Sequence, residues 1–156
     1  MDRNRRRNLR LATGAGIQAA LTGLGLLPPT AARAQQAGPA AFHARTMADA
    51  LKAMGVGAPP DSRDLTIVAA ELSENGAVVD VGLRSALPKT EFMALLVEKN
   101  PNPLVCAYRI HEGTEPDLSM TMKMSESSDV ILVARADGKY YMTRRNLKVT
   151  LGGCGG

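Results

Sequence analysis

Tryptophan is absent from this 156-residue chain, and aromatic residues make up only 3% of it, as Phe42, Phe92, Tyr108, Tyr140 and Tyr141. Without large rings a core has to be assembled from Val, Leu, Ile, Met and Ala, a modest interior whose apolar surface a partner can complete. Histidine occurs only as His43 and His111, in different segments, and neither stands in metal-ligand spacing. A Gly-x-Ser-x-Gly elbow and a helix-opening phosphate loop are also missing. These absences leave no catalytic constellation, no metal and no implied cofactor.

A long hydrophobic run is lacking too. The stretch from Leu11 to Leu27 is broken by Gly14, Gly16, Gln18, Gly23 and Gly25 and stops at Pro28-Pro29, too short and weakly apolar for a membrane anchor. It follows Asn4-Arg5-Arg6-Arg7-Asn8-Leu9-Arg10, a twin-arginine pattern, and precedes Ala32-Arg33-Ala34, an A-x-A cleavage site. Residues 1–34 therefore read as a twin-arginine (Tat) signal peptide, with the mature chain starting near Gln35 in the periplasm. The net charge of +4 belongs to that leader, which holds six of the 19 basic residues and one of the 15 acidic ones. What remains is close to neutral, which removes the electrostatic case for nucleic acid or an anionic membrane.

The rest suits one domain. Residues 35–60 read as an N-terminal helix and linker. Thr46 caps the helix with Asp49 three residues on, Met47, Ala50, Leu51 and Met54 share a face, and Gly55 ends it. From there the period shifts to two. Leu65–Leu72 and Ala77–Leu83 read as strands around a Ser73-Glu74-Asn75-Gly76 turn, where Asn-Gly signals a hairpin. Phe92–Glu98, Leu104–His111, Leu118–Met124, Asp129–Arg135, and Lys139–Thr143 running on into Asn146–Leu151 follow, with a hairpin turn at Asp137-Gly138. Seven or eight short strands separated by turn residues predict an all-β antiparallel sandwich over residues 61–151.

The sequence holds two cysteines. Cys106 alternates with Leu104, Tyr108 and Ile110 and reads as a small buried hydrophobe. Cys106 with Cys154 is the only intramolecular disulfide open to an exported chain, but a buried sulfur is a poor partner for a mobile tail. Met120, Met122 and Met124 alternate with Thr121 and Lys123; a soft-ligand copper site is one reading, and a strand's core face explains them without it. Cys154 is different. It lies in Gly152-Gly153-Cys154-Gly155-Gly156, where no neighbour has a side chain to bury or crowd it. The preceding strand keeps Leu147, Val149 and Leu151 on one face and Lys148 and Thr150 on the other, so residues 152–156 form a flexible arm on a rigid anchor. From Leu151 a fully extended arm carries the sulfur roughly 10 Å. No histidine, cation or helix N-terminus activates the thiol locally, so activation falls to whatever site the arm enters. That pattern belongs to a carrier rather than an enzyme.

The terminal Val149-Thr150-Leu151-Gly152-Gly153-Cys154-Gly155-Gly156, the Glu74-Asn75-Gly76 turn, Lys99-Asn100-Pro101-Asn102-Pro103 and the twin-arginine leader together resemble the SoxY family of sulfur carriers. The resemblance implies an immunoglobulin-like sandwich paired with a SoxZ-like subunit. It also implies a non-catalytic role, with Cys154 as the covalent attachment site for thiosulfate-derived sulfur and Gly152, Gly153, Gly155 and Gly156 as the swinging arm. The partners it implies are the Sox haem oxidase, a sulfate-releasing hydrolase and a sulfane dehydrogenase. Cys106 has no counterpart in the family pattern. A periplasmic metal or redox protein using Cys154 with the methionines, and an immunoglobulin-like binding module with an incidental tail, are the alternatives from other classes.

Overall fold

The computed structural model describes residues 37–150; the expected leader over residues 1–34 and the arm Gly152–Gly156 with Cys154 lie outside them. Among the described residues, two short helices, α1 (Pro39–Phe42) and α2 (Met47–Ala53), precede eight strands. These are β1 (Leu65–Ala69), β2 (Leu72–Ser73), β3 (Val79–Ser85), β4 (Thr90–Val97), β5 (Leu104–Arg109), β6 (Asp117–Met122), β7 (Ser128–Ala136) and β8 (Lys139–Val149). One sheet has the order β1-β3-β6 and the other β2-β8-β7-β4-β5. All pairings between these strands are antiparallel except β2 with β8. The fold is the expected mostly-β, immunoglobulin-like sandwich.

The helix signals act as written. Thr46 is the N-cap of α2, its hydroxyl accepting the Asp49 N–H at 3.1 Å, and Gly55 follows with φ +69°, the left-handed position glycine fills at a helix end. Ala50 and Met54 are fully buried. With Ala41 and Val56 they cover the outer face of the five-stranded sheet, against Phe92, Ala94, Leu96 and Ile131. Met93, Leu95 and Val97 point the other way into the core between the sheets, with Leu83, Leu132 and Leu147. β4 is thus buried on both faces, which is why Phe92–Val97 is an unbroken apolar run rather than an alternating one. β3, with one face in solvent, alternates as Val79-Asp80-Val81. Asp137 and Gly138 have φ 49° and 74°, the double positive φ of a tight hairpin turn between β7 and β8.

The structure corrects three expectations. Asn75-Gly76 is not a hairpin turn: neither residue has positive φ, and Leu65–Leu72 is not one strand. β1 ends at Ala69, the chain crosses to the other sheet as β2, and β3 returns to pair with β1. Asn75 instead accepts the Ala77 N–H on Oδ1 at 2.8 Å, a side-chain turn. Gly76 serves close approach, because a Cβ there would lie 2.7 Å from the Met124 carbonyl oxygen. The second correction is α1, an extra helix ahead of the single one expected; Pro39 opens it and it buries Ala41. Third, β5 carries a bulge against β4: Leu95 faces Cys106 while Leu96 faces Leu104. The extra residue shifts the alternation, so Leu104 packs under the helices and Cys106 turns to the inter-sheet core.

Candidate functional site

The described chain follows β8 to Thr150, four residues short of Cys154, and both sides of its last turn of strand are held. On one side β2 pairs in parallel, Leu72 with Lys148 and Ser73 with Val149; the Lys148 N–H donates to the Glu71 carbonyl and the Thr150 N–H to the Ser73 carbonyl, each at 2.9 Å. The Thr150 hydroxyl donates to the Glu74 carbonyl at 2.6 Å. On the other side β7 begins at Ser128, opposite Leu147, and offers no strand residue to Val149. Ser127 substitutes for one: its Oγ accepts the Val149 N–H at 3.0 Å and lies 3.3 Å from the Val149 carbonyl oxygen, which it can donate to. A single hydroxyl thereby satisfies both backbone groups that a missing strand residue would pair.

The collar around this point is built by other turns. Lys99 donates its N–H to the buried Ser128 Oγ at 3.0 Å. Asn100 donates its side-chain amide to the Lys123 carbonyl and accepts the Ser125 N–H. Asn102, between Pro101 and Pro103, donates to the Phe42 carbonyl at 3.0 Å and ties this turn to α1. The Gly76 carbonyl accepts the Met124 N–H at 2.8 Å, and the added Cβ that Met124 excludes would also meet Val149 Cγ2 at 3.4 Å. Bare backbone at Gly76 thus lets three turns close over the end of β8.

Cys106 is a free thiol, half-buried where the two sheets meet along β5 and β6. Its Sγ lies 3.4 Å from Met120 Sδ. Burial pushes the thiol up from 9.0 to about 11, opposed by a backbone contact from Leu95. Such a sulfur is protonated at neutral pH and a weak nucleophile. It is also far from Thr150. Thr143, Leu132, Leu95 and Cys106 stand in register across the sheet. Three strand spacings sideways and seven residues along β8 put roughly 27 Å between Cys106 and Thr150. Four residues of fully extended chain span at most about 14 Å, so a Cys106–Cys154 bridge within one chain is out of reach.

Met122 and Met124 are buried core residues and Met120 packs against them, as alternation predicts. His43 and His111 are both exposed. Among the described residues no group of three or more His, Cys, Asp or Glu could hold a metal ion, and no helix is long and apolar enough to cross a membrane. Cys154, Gly152, Gly153, Gly155 and Gly156 lie outside the described residues, whose last member before them is Thr150. Sequence reasoning passed over Ser127, which sits in a Ser-Glu-Ser-Ser run that signals only a turn, and assigned Thr150 no more than a wet strand face.

Comparison with known proteins bears on this geometry. The model of the family described as sulfur oxidation protein SoxY matches residues 50–154. No protein among the curated ones matches. Among solved structures, the sulfur carrier protein SoxY from Chlorobium limicola f thiosulfatophilum is 30% identical, covering 70% of this chain and 96% of that one, with a TM-score of 0.63. A superoxide reductase (neelaredoxin) variant from Ignicoccus hospitalis is 16% identical over 58% of this chain and 82% of its own, with a TM-score of 0.50, a likeness of fold alone.

Proposed function

This chain belongs to the SoxY family of sulfur oxidation proteins, and from that premise we propose that it is a periplasmic, non-catalytic carrier that holds thiosulfate-derived sulfur covalently on Cys154. The observation that carries the reading is that the family match reaches residue 154 and so takes in Gly152, Gly153 and Cys154, directly beyond a strand end held from both sides. A rigid root and a bare stem suit a cargo that has to enter several different sites.

In loading, the Cys154 sulfur bonds to the sulfane sulfur of thiosulfate, giving Cys154–S–S–SO3⁻. The thiol loses its proton and the pair loses two electrons, which a haem oxidase accepts. In release, water attacks the sulfonate sulfur under a hydrolase, the S–S bond to that group breaks, sulfate and two protons leave, and Cys154 keeps a persulfide anion. A sulfane dehydrogenase then accepts six electrons from the outer sulfur, three waters supplying its oxygens and six protons leaving, to give Cys154–S–SO3⁻. A second hydrolysis releases sulfate and a proton and restores the thiol. Each intermediate rests on an S–S bond, stable enough to carry and exchangeable when a thiol or redox centre approaches. The sulfonate adds charge at the arm tip, so each receiving site should present cations. The twin-arginine leader exports the folded chain, and a SoxZ-like subunit completes its apolar surface in a heterodimer.

Replacing Cys154 with serine tests this. Thiosulfate-dependent turnover by the reconstituted system should vanish while the fold and partner binding are retained. Mass spectrometry of the wild-type protein after turnover should find sulfur adducts on the peptide carrying Cys154 and none on that carrying Cys106. Full turnover by Cys154→Ser, or adducts on Cys106 alone, would end the carrier reading.

A further inference from the structure

We propose that Ser127 and Thr150 are positioning residues: together with the Ser73 and Glu74 carbonyls they fix where the arm begins, and so set the reach of Cys154 at four residues. The inference rests on the carrier reading. β8 ends as a regular element at Val149, and β7 has no strand residue left to pair with it. A strand end in that position ordinarily frays. Here Val149 is bonded through both its N–H and its C=O to one serine hydroxyl, and Thr150 through its N–H to Ser73 and its hydroxyl to Glu74. Thr150 is exposed, so its bonds do little for the core, whereas those of Ser127 hold Val149, whose side chain packs in it. Their effect falls on the two residues immediately before the arm.

Reach matters because docking an arm requires every freed residue to be ordered. With the clamp intact, the tether to be ordered runs from Leu151 to Cys154. Released, it includes Thr150 and then Val149, and each costs about a fivefold to thirtyfold loss of docking efficiency at the usual price of fixing a backbone residue. The clamp also confines the origin to the collar formed by the turns at Gly76, Asn100 and Ser125. An enzyme that receives the arm meets that collar first, since about 14 Å of extended chain allows no more distant approach.

The test uses the full mature chain with its partner subunit and the loading and processing enzymes, and measures turnover against carrier concentration. Thr150→Val, which keeps the β-branched shape and removes the hydroxyl, should raise KM for the carrier, and Thr150→Val combined with Ser127→Ala, which also loosens Val149, should raise it further, to at most about fivefold to thirtyfold for each residue released. Turnover at saturation and iodoacetamide alkylation of Cys154 should stay at wild-type values, and so should the thermal midpoint of Thr150→Val, whose hydroxyl is exposed. Thr150→Ser, which restores the donor, should recover most of the loss. A purely structural role predicts instead that KM rises only as the midpoint falls and Cys106 becomes open to alkylation, and that result overturns the proposal. So does wild-type KM in both variants while Cys154→Ser is inactive. Full turnover in Cys154→Ser removes the carrier reading and this inference with it.

Discussion

The burial of Cys106 should be readable in the pH dependence of its reactivity. Its pKa of about 11 against an ordinary 9.0 makes the thiolate about a hundredfold rarer at pH 8. A more basic thiolate is intrinsically the better nucleophile, and a Brønsted slope of 0.4–0.5 over that interval returns about sixfold to tenfold. Availability wins. In Cys154→Ser protein, where Cys106 is the one remaining thiol, alkylation by iodoacetamide should run about tenfold to fifteenfold slower at pH 8 than in the same protein unfolded in urea, before any shielding by Met120. The pH profile is the firmer signature. The native rate should climb about tenfold per pH unit to beyond pH 10, while the unfolded chain levels off near 9. The same burial weakens the fold in alkali. The native state keeps this thiol protonated to higher pH than the unfolded chain does, so its contribution is complete below pH 9 and is lost as pH rises through about 11. The part of the alkaline loss due to Cys106 should disappear in Cys106→Ala. A native alkylation profile that flattens at or below pH 9, or native and unfolded rates that coincide at pH 8, would refute the reasoning.

Gly76→Ala should destabilise the domain by roughly 2–4 kcal/mol in urea unfolding, because the new Cβ falls 2.7 Å from the Met124 carbonyl oxygen and either strains that contact or breaks the Met124–Gly76 bond. A change under about 0.5 kcal/mol would show that the turns give way freely. Leu95→Ala, at a fully buried core position, should cost about 2–5 kcal/mol. Val68→Ala, half-exposed on the outer face of the small sheet, should stay within about 0.5 kcal/mol in the same assay.

Residues whose meaning depends on their immediate neighbours were legible in the sequence. Thr46 and Asp49 start α2, Gly55 stops it, Asp137-Gly138 turns the β7–β8 hairpin, and Leu147 and Val149 mark the buried face of β8. Each depends on local backbone geometry or on the two-residue period of a strand, which three to five residues suffice to specify. Whatever depends on which strands lie side by side was decided only by the folded chain. Asn75-Gly76 has the letters of a hairpin, yet β1 and β3 pair only after the chain has crossed to β8, so Gly76 is there for Met124 and not for a turn. One bulged residue in β5 moved Cys106 away from the face of Leu104 and set its acidity. Ser127 and Thr150 hold the end of β8 through partners 22 and 76 residues away in sequence. No local period records such pairs, because a hydroxyl at a turn looks the same whether it faces water or the last residue of a strand.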